Sequence, residues 1–167
     1  GIGVHDRAGD KPDLTVSGIN LGLNFGTAFF FSSGTVGAVI ESWIAGVPGI
    51  AFSMAIPADA YGLSGDDRAE LLGPRCIDAA ETARDIVAAV LAHGFPAGAD
   101  LLTVNMPADV TVSTPRRTTG VTRARYAPIF ARLSKGRYVH RFRSYDPLTI
   151  EPDGDIETVR AGMVSIA

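Results

Sequence analysis

Three short apolar segments, separated by regions with helical spacing, constrain the fold of this chain more than any other feature. They are residues 13–17 (DLTVS), Gly49–Met54 (GIAFSM) and Leu101–Met106 (LLTVNM), and each is followed by glycine, proline or polar residues. Such segments are typical of buried strands. Because strands that alternate with helices pair in parallel, the pattern predicts an α/β fold with helices packed on the faces of a mostly parallel sheet.

Two amphipathic helices are predicted between these strands. Val36, Val39, Ile40, Trp43 and Ile44 recur at helical spacing before Gly46, so we expect Trp43 to lie in the core. A second helix is indicated by Ile77, Ala80, Ala83, Ile86, Val87, Val90 and Leu91, and it should end at Gly94. The polar region before it, through Pro74 and including Asp66 and Asp67, is predicted to be a loop.

Residues 16–26 (VSGINLGLNFG) hold more glycine and asparagine than a strand–helix connection needs. We expect the first strand to end at Gly18, and a Ser-Ser-Gly-Thr turn, residues 32–35, to open the following helix. Helix N-termini attract phosphate, an asparagine oxygen can bind a hard cation, and its N–H can hold a phosphate oxygen. From these residues alone, a phosphate-plus-metal site and a plain turn with a capped helix both stay open.

The net charge of −3 hides a basic block. Nine of the 15 lysines and arginines lie between Asp109 and Asp146, where no acidic residue occurs. Alternating polarity in residues 121–125 and 137–143 predicts an antiparallel ribbon, and residues 116–145 are interpreted as an extended hairpin arm. The charge suits a phosphate-bearing ligand, nucleic acid, an acidic partner or simply a solvated hairpin.

Other features restrict the location and chemistry of the protein. No uninterrupted apolar stretch approaches the roughly 20 residues of a membrane span, so no membrane segment is expected. A single cysteine, Cys76, favours a reducing compartment, and the cytoplasm is the expected location. His5, His93 and His140 lack the spacing of metal ligands and are interpreted as structural or surface residues.

Four segments, in order along the chain, resemble the SurE family of nucleotidases. They are PDLTVSGINLGLNFG, SSGTVGAVIESWIAGVPGIAFSM, LLTVNMP and DGDIETVRAGMVSIA. The resemblance implies a single domain, residues 1–167, with a three-layer, Rossmann-like, mostly parallel sheet and a C-terminal antiparallel hairpin used in oligomerisation. It further implies metal-dependent hydrolysis of nucleoside 5′- or 3′-monophosphates with Mg²⁺ or Mn²⁺, in a homodimer or homotetramer. Nucleic acid is not the expected partner.

Mapped onto this sequence, the resemblance makes Asn20 a metal ligand and Asn24 a phosphate-binding amide, and both would belong to the catalytic centre. Ser33, Gly34 and Thr35 would form the phosphate cradle. The TAFFFSS segment is one residue longer than in some family members, so Ser32 and Ser33 are alternatives for this role. Ser33 is preferred because it directly precedes Gly34. Asp155 falls at a recurrent acidic position of the family.

One part of the family pattern is missing from this sequence. Family members begin with an Asn-Asp-Asp-Gly motif whose aspartates bind the metal, and a later serine completes the coordination; neither is present here. Enzyme activity is therefore expected only if the full chain supplies these ligands, and the 167 residues alone are expected to hydrolyse no nucleotide. The alternatives are a non-catalytic nucleotide- or phosphate-binding protein that has lost the aspartates, and a nucleic-acid-binding module based on the basic ribbon.

Overall fold

The computed structural model describes residues 11–140 and 151–167, together with the backbone of 145–147. Its elements are, in chain order, β1 (Thr15–Leu21), α1 (Gly26–Ser32), α2 (Gly34–Ile44), β2 (Gly49–Met54), a 3₁₀ turn (Ala58–Ala60), α3 (Gly65–His93), β3 (Leu101–Met106), β4 (Arg116–Thr118), β5 (Ala124–Tyr126), β6 (Phe130–Ser134), β7 (Arg137–His140), β8 (Tyr145–Pro147), α4 (Asp155–Arg160) and β9 (Val164–Ile166).

A five-stranded sheet in the order β1-β2-β3-β9-β4 forms the centre of the fold. Strands β1, β2 and β3 are parallel; β9 is antiparallel to β3 and parallel to β4. Alternate residues of β2 face opposite layers, since Phe52 packs with Ile86 of α3 whereas Ala51 packs with Val36 and Val39 of α2. The predicted three-layer α/β architecture is confirmed.

Helix α3 begins well before the position expected from the sequence, so the prediction of a loop through Pro74 is wrong from Gly65 onward. Tertiary contacts hold the first turns: Leu72 is buried, and Arg75 donates two hydrogen bonds to the Asp59 carboxylate, at 3.0 and 3.2 Å. The hydrogen bond from Arg75 lowers the pKa of Asp59. These contacts stabilise a helix that continues through Pro74. From the sequence alone, a proline at this position predicts a helix break.

Some apolar residues of the helices face solvent. Trp43, expected in the core, is 45% exposed, and Ile77 and Leu91 of α3 are more than half exposed. On α2 the buried positions are Val36, Val39 and Ser42, and Trp43 lies about 100° around the helix from Ser42. The prediction for Trp43 is wrong because the sheet covers only one narrow side of each helix.

The basic region forms antiparallel ribbons, but not with the pairing that the sequence suggested. Strands β6 and β7 form a hairpin, Phe130 opposite His140, whereas β5 pairs with β8. Residues 141–144 lie outside the described part, as do His5 and the rest of residues 1–10. Every helix within residues 11–140 and 151–167 is either too short or too polar to span a bilayer.

A fully buried carboxylate, Asp155, joins three distant segments of the chain. Its Oδ2 accepts a hydrogen bond from the backbone N–H of Gly26 at 2.8 Å, and its Oδ1 accepts from the N–H groups of Thr122 and Ile156, at 3.0 and 2.8 Å. The backbone N–H of Asp155 donates in turn to the carbonyl of Gly120. The start of α1, and with it the loop that precedes α1, therefore depends on a residue near the end of the chain.

Replacing this carboxylate should destabilise the fold. In Asp155→Ala, three buried N–H groups lose their acceptor, so we expect the free energy of unfolding to fall by about 3 kcal/mol or more. Urea denaturation followed by circular dichroism measures it. Asp153→Ala is the matched control, because that carboxylate is 96% exposed and forms an ion pair with Arg117 at 3.7 Å. Equal stability of the two variants would contradict the structural role of Asp155.

Candidate functional site

A β-bulge in β1 sets the position of the first candidate residue, Asn20. Ser17 pairs with Ala51 and Asn20 with Ser53, so β1 uses three steps where β2 uses two. At the bulge, Gly18 has φ +115°, and a Cβ there would collide with the carbonyl oxygen of Phe52. The strand thus continues to Leu21, and the expectation that it ends at Gly18 is wrong. Bulges often re-aim side chains next to functional sites.

A row of polar residues crosses the sheet where β1, β2 and β3 approach their carboxyl ends. Asn20 pairs with Ser53, Ser53 with Asn105, and Asn105 with Ser165 of β9. Directly paired residues lie on the same face of a sheet. Since Ser53 alternates with Phe52, this face is the one that carries α2, opposite α3. The row lies at the sheet edge where α/β proteins bind ligands.

The loop after β1 is held against this row. Asn24 is 6% exposed; its backbone N–H donates to Oδ1 of Asn105 at 2.8 Å, and its Nδ2 donates to Oγ of Ser53 at 2.6 Å. The Nδ2 of Asn20 donates to the carbonyl of Gly22 at 2.7 Å. Among the described residues, neither asparagine Oδ1 has a hydrogen-bond partner, so both amides keep an oxygen for other interactions.

Tight packing explains the last glycine of the loop. Gly26 begins α1 with φ +66°, and a Cβ there would lie 3.0 Å from Cβ of Ala124 and 3.1 Å from Cδ1 of Ile156. The hydroxyl of Thr27 donates to the carbonyl of Ala124 at 2.8 Å and accepts from its N–H at 3.0 Å. Helix α1, which sequence reasoning did not anticipate, therefore packs closely on β5.

The predicted phosphate cradle lies at the start of α2. Ser33 is the N-cap residue, and its Oγ accepts a hydrogen bond from the N–H of Val36 at 3.2 Å. Ser32 instead ends α1, and its hydroxyl contacts the Tyr126 hydroxyl and the Ala28 carbonyl. Open space surrounds Gly34, since a Cβ there would meet no atom within 4 Å. The capped helix predicted from the Ser-Ser-Gly-Thr turn is confirmed.

The structure thus brings the candidate residues into two groups. Asn20 and Asn24 both adjoin Ser53, the first by strand pairing and the second by a hydrogen bond. The second group, Ser33, Gly34 and Thr35, follows α1 at the start of α2. Sequence reasoning missed Ser53 and Asn105. The available signal was that each is a polar residue at the fifth of six positions in a mostly apolar strand.

The described residues do not by themselves form a metal centre. They contain no group of three or more histidine, cysteine, aspartate or glutamate side chains that could hold an ion. Asp66 and Asp67 are exposed in the first turn of α3, where their negative charges interact favourably with the helix dipole. Asn20 offers a single amide oxygen, which is far fewer than the six or so ligands that Mg²⁺ requires.

Comparison with known proteins gives a consistent family match. The family model described as survival protein SurE matches residues 1–128. A 5′-nucleotidase SurE of Archaeoglobus fulgidus is 35% identical over 170 residues, which cover 99% of this chain and 61% of the relative. A 5′-nucleotidase SurE of Thermofilum pendens is 42% identical over 109 residues, covering 63% of this chain and 39% of the relative.

A solved structure shares the fold. The crystal structure of SurE protein from Aquifex aeolicus matches with a TM-score of 0.65 at 25% identity, covering 99% of this chain and 62% of that chain. The chain therefore spans between 39% and 61% of the length of the two curated relatives described above.

The bulge should tolerate only glycine at position 18. Gly18→Ala combines an unfavourable positive φ with a collision against the β2 backbone, and we expect it to lower the free energy of unfolding by about 2 kcal/mol or more. The control is Gly37→Ala, within α2 and without neighbours near the added Cβ, which should instead stabilise by about 0.5–1 kcal/mol. Urea unfolding of both variants measures the difference, and a neutral Gly18→Ala would refute the bulge.

Proposed function

Because this chain belongs to the SurE family, we propose that it carries the phosphate-binding part of a phosphomonoesterase that hydrolyses nucleoside 5′- or 3′-monophosphates to nucleoside and phosphate. The supporting relatives bear the name 5′-nucleotidase. The observation that carries the proposal is the placement of Asn24, which is fixed over a polar row at the carboxyl edge of a parallel sheet. Ligands of such sheets bind at that edge.

The proposed phosphate contacts use neutral donors. As first-turn residues of α2, Gly34 and Thr35 have backbone N–H groups without intrahelical acceptors, and the helix dipole adds partial positive charge there. The absence of a side chain at Gly34 lets an anion approach the backbone. Ser33 contributes its hydroxyl, and Asn24 contributes the remaining N–H of its amide. Together these groups would bind and orient the phosphate oxygens.

A divalent cation, Mg²⁺ or Mn²⁺, is proposed as cofactor, with Asn20 supplying one oxygen ligand. When bound, such an ion neutralises phosphate charge and activates water. The described residues do not fit a complete site, because they lack the carboxylate cluster that such an ion requires. The other ligands would come from outside the described residues, and the role derived for this chain is to hold the phosphate.

Assembly into a homodimer or homotetramer through the β6–β7 hairpin is also proposed. Three large apolar side chains of this hairpin, Phe130, Leu133 and Tyr138, are each about 60% exposed. The two strands form a sheet of their own, apart from the central sheet. Exposed apolar residues clustered on a two-stranded ribbon are typical of a protein interface.

A cytoplasmic location is also proposed. The single cysteine of the sequence, Cys76, supports it.

The nucleotidase proposal is tested on the complete gene product. Phosphate release from nucleoside 5′- and 3′-monophosphates should require Mg²⁺ or Mn²⁺ and stop with EDTA. Asn24→Leu should lower kcat/KM by about 100-fold, as expected when one stabilising donor is lost. Asn20→Ala should raise the metal concentration needed for half-maximal rate, whereas exposed Asp67→Asn is the unchanged control.

Two results would contradict the proposal in different ways. Hydrolysis that persists in EDTA would exclude the proposed cation. Nucleotide binding without any hydrolysis would instead support the alternative of a non-catalytic nucleotide-binding protein.

The arm proposal makes a separate prediction about mass. The double variant Leu133→Asp/Tyr138→Asp should convert the oligomer to a monomer, because a charged residue buried at the interface loses its hydration. Light scattering coupled to size-exclusion chromatography measures the mass. The control is Val112→Asp, which is 46% exposed and lies outside the hairpin, and should leave the mass unchanged. An unaltered oligomer in the double variant would overturn the role of the arm.

A further inference from the structure

We infer that Ser53 and Asn105 are positioning residues that hold Asn24 in its phosphate-binding orientation before any ligand arrives. The inference rests on the proposed function and assigns a role to two residues that belong neither to the cradle at α2 nor to the asparagine–glycine loop. Both are completely buried, on β2 and β3 respectively.

The two residues share the task by contacting different atoms of Asn24. Oδ1 of Asn105 accepts from the Asn24 backbone N–H at 2.8 Å and so fixes the path of the loop. Oγ of Ser53 accepts from Nδ2 at 2.6 Å and so fixes the orientation of the side-chain amide. Ser53 and Asn105 are themselves a direct cross-strand pair, so the pairing of β2 with β3 sets the spacing of the two acceptors.

The cost of this arrangement argues that it is not ordinary core packing. Nδ2 of Asn105 is buried and has no hydrogen-bond partner among the described residues. An unpaired buried donor has lost its hydration without compensation, a cost that an apolar residue of similar size would avoid. What compensates for this cost is the other end of the same amide, because Oδ1 of Asn105 accepts the hydrogen bond from the Asn24 N–H.

Holding Asn24 in place has a consequence for ligand affinity. One hydrogen of Nδ2 is used by Ser53, and the second remains for a phosphate oxygen. A donor that is already oriented does not pay the cost of ordering when phosphate binds, so the contact contributes more to affinity. Releasing either tether should leave Asn24 present but misaligned.

The test titrates inorganic phosphate, with Mg²⁺ present, into the ¹⁵N-labelled complete gene product, and NMR measures the binding. The variants are Asn105→Leu, Ser53→Ala and Asn105→Asp. Thr103→Val is the matched control, because Thr103 is buried on the same strand and its hydroxyl has no partner among the described residues. Two quantities are measured: hydrogen-exchange protection of the Asn24 N–H without ligand, and the Kd for phosphate.

The expected pattern separates positioning from simple stability. Asn105→Leu should abolish protection of the Asn24 N–H and raise the Kd about tenfold, since a misplaced contact loses its contribution. Ser53→Ala should preserve that protection yet still raise the Kd. Asn105→Asp keeps an oxygen acceptor, so protection of the Asn24 N–H should match that of the unmodified protein. This variant keeps the test possible if Asn105→Leu does not fold. Thr103→Val should change neither quantity.

The outcomes distinguish this inference from the proposed function. If the unmodified chain binds phosphate and the folded Ser53→Ala and Asn105 variants bind it equally well, the positioning role is overturned while the phosphate site stands. If the unmodified chain binds no phosphate with Mg²⁺ present, the anion site of the proposed function fails, and the positioning role falls with it.

Discussion

The buried carboxylate of Asp155 is the constraint on which the arrangement of the site depends. It accepts hydrogen bonds from backbone N–H groups of residues 26, 122 and 156, and so connects the start of α1, the segment before β5 and the start of α4. Gly26 follows Asn24 by two residues, so the asparagine loop is fixed at one end by this carboxylate and at the other by β1. A buried acceptor that satisfies three donors is difficult to replace, because each donor left unpaired carries its own desolvation cost.

The two faces of the central sheet carry different kinds of side chain. Toward α3 it presents large apolar side chains such as Phe52 and Met54, which form the main core. On the opposite face, near the carboxyl edge, it presents Ser53 and Asn105, which bind the loop rather than a helix. The bulge in β1 brings Asn20 into register with these residues. The same strands therefore stabilise the fold and build the floor of the proposed site.

The proposed phosphate site relies on neutral amides, a hydroxyl and helix N–H groups. Such groups suit a doubly charged monoester because they donate hydrogen bonds from fixed positions and need little reorganisation. Family membership supports the proposed class of reaction, and the local geometry supports the part proposed for this chain. In the proposal, the described residues would bind and orient the phosphate, and a cation would need further ligands because these residues hold no carboxylate cluster.

Local sequence patterns determined the order of the main strands and helices, the cap at Ser33 and the antiparallel character of the arm. They also identified the asparagines of the loop as candidate binding residues. These follow from the sequence because spacing, capping and turn chemistry act over a few neighbouring residues. Only the tertiary structure decided that α3 runs through Pro74, that Trp43 faces solvent, and that β5 pairs with β8. It also decided the roles of Ser53, Asn105 and Asp155, because those roles arise from strand register and from hydrogen bonds between residues 29 to 129 positions apart. No local pattern encodes which distant donor will meet which acceptor.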